Sequence, residues 1–148
     1  MLAIASDHGG FALKQEIMAH LKAAGVAFED LGTYTEESCD YPVYAEKLGR
    51  AVAAGEYERG ILLCGTGIGI SMAANKIPGI RAALCSDCYS AEMSRRHNNA
   101  NVLALGGRVL GPELAFRIVD TFLTAPFDGG RHQRRVSLID ALLPEEKI

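Results

Sequence analysis

A continuous apolar run, Gly60-Ile61-Leu62-Leu63-Cys64, leads directly into a glycine-rich turn, Gly65-Thr66-Gly67-Ile68-Gly69. No other feature constrains the chain as much. A short apolar run without alternation fits a central strand of a parallel sheet, covered on both faces. A glycine-rich strand-to-helix turn lets backbone N–H groups approach an anion, or an oxyanion that develops during reaction. The turn lacks the Gly-Lys-Ser/Thr ending of a Walker A loop. Its G-x-G-x-G spacing after a third strand is not a dinucleotide fingerprint either.

The rest of the chain alternates short apolar runs with helical patterns. Leu2–Ser6 is the first strand, and residues 26–31, 80–85 and 102–105 supply three more. Over residues 11–24, Leu13, Ile17, Leu21 and Ala24 recur at helical spacing, with Lys14, Gln15 and Lys22 expected off that stripe. Pro42 opens a second helix that stops near Gly55. Further helices are expected at 70–76, 87–96 (with Asp87 as cap), 112–123 and 131–143. This alternation predicts an α/β fold, a three-layer αβα Rossmann-like arrangement on a five-stranded parallel sheet. If the strand order begins 2-1-3, the loops after the first and third strands meet at a switch point, where such folds bind ligands.

The 148 residues fit one domain, with 49% apolar and 22% charged residues. The net charge of −3 argues against binding nucleic acid by bulk charge. No apolar run of membrane-spanning length occurs. The start Met1-Leu2-Ala3-Ile4-Ala5-Ser6 lacks the basic opening of a signal peptide. The four cysteines, at 39, 64, 85 and 88, then read as reduced thiols of a cytoplasmic protein.

Cys64 ends the central strand just before the glycine turn, where a thiolate can act as nucleophile or general base. Asp7-His8 follows the first strand and faces the same crevice; a His there can bind phosphate or move a proton. His97-Asn98-Asn99 lies in the loop before the fifth strand. Arg131 and Arg135 are four residues apart, on one helix face behind Gly129-Gly130, and with Arg108 they suit a phosphate. Cys85-Ser86-Asp87-Cys88 lacks the context of a redox motif or a zinc site and reads as structural. His20 and His132 receive no site role, and no metal-ligand cluster is expected. Base, oxyanion cradle, acid/base His and phosphate-binding Arg together suit metal-free proton transfer beside a carbonyl in a small phosphorylated substrate.

Asp7-His8-Gly9-Gly10-Phe11, the Cys64–Gly69 motif, Ala73-Ala74-Asn75-Lys76, Ser94-Arg95-Arg96-His97-Asn98 and Gly129-Gly130-Arg131-His132-Gln133-Arg134-Arg135 together resemble the ribose-5-phosphate isomerase B family. That family also contains allose- and galactose-6-phosphate isomerases. The resemblance implies conversion of ribose 5-phosphate to ribulose 5-phosphate through an enediolate, in the pentose phosphate pathway, without a cofactor. It implies that Cys64 is the base and that His97 donates the proton for ring opening. Gly65, Thr66, Gly67, Ile68 and Gly69 would hold the oxyanion, with the Thr66 hydroxyl near the reacting oxygens. Asp7 would orient sugar hydroxyls and Asn98 would hold a sugar oxygen. His8, Arg108, Arg131 and Arg135 would bind the phosphate. It further implies a homodimer, or a dimer of dimers, with sites shared between subunits and the helix at 131–143 packed at the interface. Two alternatives stand beside this: an isomerase of a six-carbon sugar phosphate, and a non-catalytic phosphate-binding regulator.

Overall fold

The computed structural model describes residues 1–142. Five strands form one sheet: β1 (Leu2–Ser6), β2 (Phe28–Asp30), β3 (Arg59–Cys64), β4 (Ala82–Leu84) and β5 (Val102–Gly106). Every pairing is parallel and the order is β2-β1-β3-β5-β4. The order begins 2-1-3, the condition under which β1 and β3 are neighbours at the switch point. The helices are α1 (Phe11–Ala23), α2 (Tyr41–Ala53), α3 (Ile68–Ala74), α4 (Cys88–Arg96), α5 (Pro112–Thr124) and α6 (Arg131–Asp140). Among the described residues no helix is long and apolar enough to cross a membrane.

The alternation of side chains along each strand divides the core in two. Leu2, Ile4, Ile61, Leu63, Leu103 and Leu105 pack against Leu13, Ile17 and Leu21 of α1 and Ile118, Val119 and Phe122 of α5. Ala3, Ala5, Leu62, Cys64 and Ala104 face Ala45, Leu48 and Val52 of α2 and Ile70 and Ala74 of α3. The sheet is thus sandwiched between helices, which accounts for the unbroken apolar reading of β3.

Four elements differ from the sequence reading by two residues or more, and one burial differs. Strands β2 and β4 keep only three residues each, because both are edge strands with one neighbour. Helix α3 begins at Ile68, two residues early, since left-handed Gly67 already turns the chain into it. Helix α6 ends at Asp140; the expected end at 143 lies outside the described residues. Asp87 caps α4 as expected, accepting from the Ser90 N–H at 2.7 Å and its hydroxyl at 2.8 Å. Those two bonds hold its carboxyl below the usual carboxylate range. Lys14 is the misreading of consequence: it is fully buried rather than solvated. Burial pushes the Cys85 thiol up to about 11, in keeping with the structural reading of Cys85 and Cys88.

Candidate active site

The carboxyl ends of β1, β3 and β5 place three loops side by side. The Asp7 N–H donates to the Leu63 carbonyl at 3.1 Å. The Gly107 N–H donates to the Cys64 carbonyl at 2.8 Å, and the Arg108 N–H to that of Gly65 at 2.9 Å. Backbones meet here without side chains between them. A Cβ on Gly10 would lie 2.6 Å from the Leu63 carbonyl carbon, and one on Gly107 2.7 Å from the Gly9 oxygen. Asp7, His8, Cys64, Thr66 and Arg108 therefore border a single crevice.

Cys64 is the last residue of β3 and is buried. Its Sγ accepts the Gly67 N–H at 3.1 Å, so the turn is folded around the sulfur. Gly67 has φ 78°, a left-handed conformation that L side chains rarely adopt. The Thr66 hydroxyl accepts the Ile68 N–H at 3.2 Å and keeps its own proton free to donate. One Asp7 carboxylate oxygen accepts the Gly10 N–H at 3.1 Å. The other has no protein partner among the described residues and can take a hydroxyl. The Arg108 guanidinium lies over Gly65, with Nη1 3.1 Å from where a Cβ would stand. No acid pairs with Arg108 among the described residues.

Two contacts of this crevice escaped sequence reasoning. The Tyr41 ring fills the space that a Gly69 side chain would occupy, 2.5 Å from the position of its Cβ. The Cys39 N–H donates to Nδ1 of His8 at 3.2 Å. Tyr41 opens α2 and Cys39 lies in the loop before it, 28 and 31 residues away in sequence from the groups they touch. Only a reading of Gly69 as a vacated position could have hinted at the first.

His97, Asn98, Arg131 and Arg135 form a second group. His97 ends α4 and stacks on His132, with ring centroids 4.1 Å apart and planes 6° from parallel. His132, given no site role from the sequence, thus has a ring partner. Desolvation, then His97 and Arg131, push its pKa down. The absence of a metal-ligand cluster in the sequence reading also needs amending. Folding brings ligand atoms of His97, Asp128 and His132 within 4.8 Å of one another. Arg96 holds the Asp128 carboxylate at 3.1 Å, and Arg131 and Arg135 adjoin His132. That positive surround favours an anion over a cation. Arg131 and Arg135 are exposed and have no acidic partner among the described residues. Asn98 lines a cleft of about 560 Å³ with Lys76, Arg81, Ile139 and Asp140.

The two groups occupy opposite ends of the sheet. Cys64 closes β3 at its carboxyl end. The segment after α4 returns to the amino ends, where the Gly60 N–H donates to Asn101 and the Asn101 N–H to Arg81. Buried Arg95 fixes that return by donating to the Ala100 carbonyl and to Asn99. Six residues of β3 span roughly 16 Å. His97 therefore does not meet Cys64 within one chain.

The chain matches the Ribose/Galactose Isomerase family over residues 2–139. It is 57% identical to ribose-5-phosphate isomerase B of Escherichia coli over 141 residues, 95% of each chain. The chain belongs to the ribose/galactose isomerase family. The solved ribose-5-phosphate isomerase B of Clostridium thermocellum superposes with a TM-score of 0.94 at 56% identity, covering 95% of both chains. The D-erythrulose-4-phosphate isomerase of Pectobacterium atrosepticum is 45% identical over 99% of this chain and 97% of its own. The αβα fold is thus that of the ribose-5-phosphate isomerase B structures, and the chain is an isomerase. Family members of comparable identity carry names for sugar phosphates of different length.

Proposed function

We propose that this isomerase interconverts D-ribose 5-phosphate and D-ribulose 5-phosphate by proton transfer, with no cofactor, in the pentose phosphate pathway. The observation that carries the reading is the Cys64 sulfur, enclosed by the glycine turn and receiving its Gly67 N–H, beside Asp7 and His8. In the open-chain aldose the Cys64 thiolate removes the proton on C2. The C–H electrons form the C1–C2 double bond, and the carbonyl oxygen becomes an oxyanion held by the turn of Gly65 to Gly69 and the Thr66 hydroxyl. The same thiol returns its proton to C1, while the C2 hydroxyl proton passes to the oxyanion on C1 and C2 becomes the carbonyl, so the conversion is redox-neutral. Asp7 orients the hydroxyls on the way.

His97 opens the sugar ring as proton donor, and Asn98 holds a sugar oxygen. Because both stand at the far end of the sheet from Cys64, a second copy supplies them, and the working unit is at least a homodimer. Helix α6 supports this: only Val136 of it is buried, while Leu138, Ile139 and the following Leu142 stand exposed in one chain. An interface there would cover them. His8, Arg108, Arg131 and Arg135 bind the phosphate; among the described residues none of the three arginines is paired with an acid. The cytoplasm, where free thiols stay reduced, is the expected compartment.

A six-carbon sugar phosphate is the second reading, favoured by the family's span over ribose and galactose substrates. The non-catalytic regulator loses its ground once the chain is placed among isomerases. Ribulose formation from ribose 5-phosphate by the purified protein, set against allose and galactose 6-phosphates, decides between the sugars. Arg135→Ala is expected to raise KM for phosphorylated sugars about tenfold or more, with a smaller effect on kcat. Unchanged affinity for ribose 5-phosphate would remove its guanidinium from the phosphate site.

A further inference from the structure

Lys14 lies in the first turn of α1, and no part of its side chain reaches solvent. An ammonium taken out of water costs several kcal/mol unless its partners compensate. Here Nζ donates to Asp30 Oδ1 at 2.7 Å and to the Thr33 carbonyl at 2.6 Å. The Phe11 and Tyr34 rings lie 5.6 Å from it. These partners are the end of β2 and the start of the loop that follows. The same Asp30 carboxylate accepts the Gly32 N–H at 2.9 Å, and the Tyr34 hydroxyl donates to the Asp30 carbonyl at 3.1 Å. The loop is also tied to the last residue of β1. The Ser6 N–H donates to Gly32 at 2.7 Å, and the Thr33 N–H donates back to Ser6 at 2.8 Å. At the far end of the loop stands Cys39, whose N–H meets His8.

That last bond decides the chemistry of His8. A ring nitrogen that accepts from a backbone N–H carries no proton of its own. The neutral ring therefore keeps its proton on Nε2, at the opposite edge, where one N–H donor is presented to an anion. Rotation of the ring and choice of tautomer both depend on where residue 39 is held.

We infer that Lys14 is a positioning residue for the phosphate end of the substrate, holding residues 33–40 where Cys39 fixes the tautomer and orientation of His8. The inference rests on the proposed reading of His8 as a phosphate ligand. An apolar side chain of similar length would fill the same space at lower desolvation cost. It would leave the Asp30 carboxylate and the Thr33 carbonyl without their donor, and the loop without its anchor. Lys14 touches no reacting atom, so its effect reaches the substrate only through His8.

The test compares Lys14→Met, His8→Ala and the double variant, each confirmed folded by circular dichroism. Lys14→Met is expected to raise KM for ribose 5-phosphate about tenfold with kcat changed by less than about threefold. Competitive inhibition by inorganic phosphate should weaken by the same factor. In the His8→Ala background Lys14→Met should add nothing further, whereas general loosening of the fold would add its full effect. Long-range nitrogen–proton NMR should show His8 as the Nε2–H tautomer in the wild type and a tautomer mixture in Lys14→Met. Asp30→Asn, which keeps an acceptor for Lys14, should shift KM the same way by a smaller factor if Lys14→Met does not fold. An unchanged KM in the folded variant, additivity with His8→Ala, or an undisturbed tautomer would overturn the inference. Wild-type protein silent on every sugar phosphate would instead sink the proposed function, and the NMR comparison would still judge the role of Lys14.

Discussion

Cys64→Ala is expected to lower kcat for ribose 5-phosphate by about 10⁴-fold, the upper range for loss of a positioned acid–base group. Affinity for the sugar phosphate should stay within about threefold, because Cys64 is not one of the proposed phosphate ligands. The reasoning is local. The sulfur is the only side-chain atom that the variant removes from the head of the glycine turn, and it accepts the Gly67 N–H. The β3 backbone, paired on both sides with β1 and β5, is untouched. Steady-state turnover together with calorimetric binding separates the two effects. Turnover retained at near wild-type rate would take Cys64 out of the mechanism.

Gly67→Ala is expected to lower turnover less steeply, by a different route. At φ 78° an alanine is strained by roughly 1–2 kcal/mol. Its Cβ would also stand 2.6 Å from Leu84 Cδ1 and 2.8 Å from the Leu105 carbonyl carbon. Leu84 can rotate, but Leu105 belongs to the backbone of β5, so the turn must move instead. Moving it withdraws the Gly67 N–H from Cys64 and displaces the N–H groups meant for the oxyanion. Loss of one such donor commonly costs about 2.7–4 kcal/mol, or 10²–10³ in kcat. The melting temperature should fall as well. A variant with native kcat would show that the turn is a packing device only.

The fold and half of the site are legible in the residues themselves. The β3 run and the parallel αβα arrangement follow from alternation, and the placing of Asp7, His8 and Cys64 at one crevice follows from the switch-point rule once β1 and β3 are neighbours. They depend on local pattern, which a sequence carries openly. The contacts that remained hidden are all long-range. Lys14 looks solvated by its charge and its place beside the Leu13, Ile17 and Leu21 stripe. It is buried because Asp30 and Thr33, from an interrupted strand and an unpatterned loop, close over it. His132 looks isolated, yet the turn at Gly129 and Gly130 brings its ring onto His97, 35 residues earlier in the chain. Tyr41 is an aromatic before a helix until Gly69 leaves room for its ring. The separation of His97 from Cys64 follows from topology once α4 is seen to return to the amino ends of the strands. No single motif reveals it.

That separation is the centre of the account, and one experiment addresses it directly. Cys64→Ala and His97→Ala proteins are each assayed for ribulose formation, then unfolded together in equal amounts, refolded and assayed again. If the site is built from Cys64 of one subunit and His97 of another, each variant alone should be inactive. Half of the mixed molecules should then pair one intact site with one doubly impaired site, restoring roughly one quarter of wild-type activity. A mixture that stays as inactive as its two components, under conditions where refolded wild type recovers its rate, would contradict the shared site.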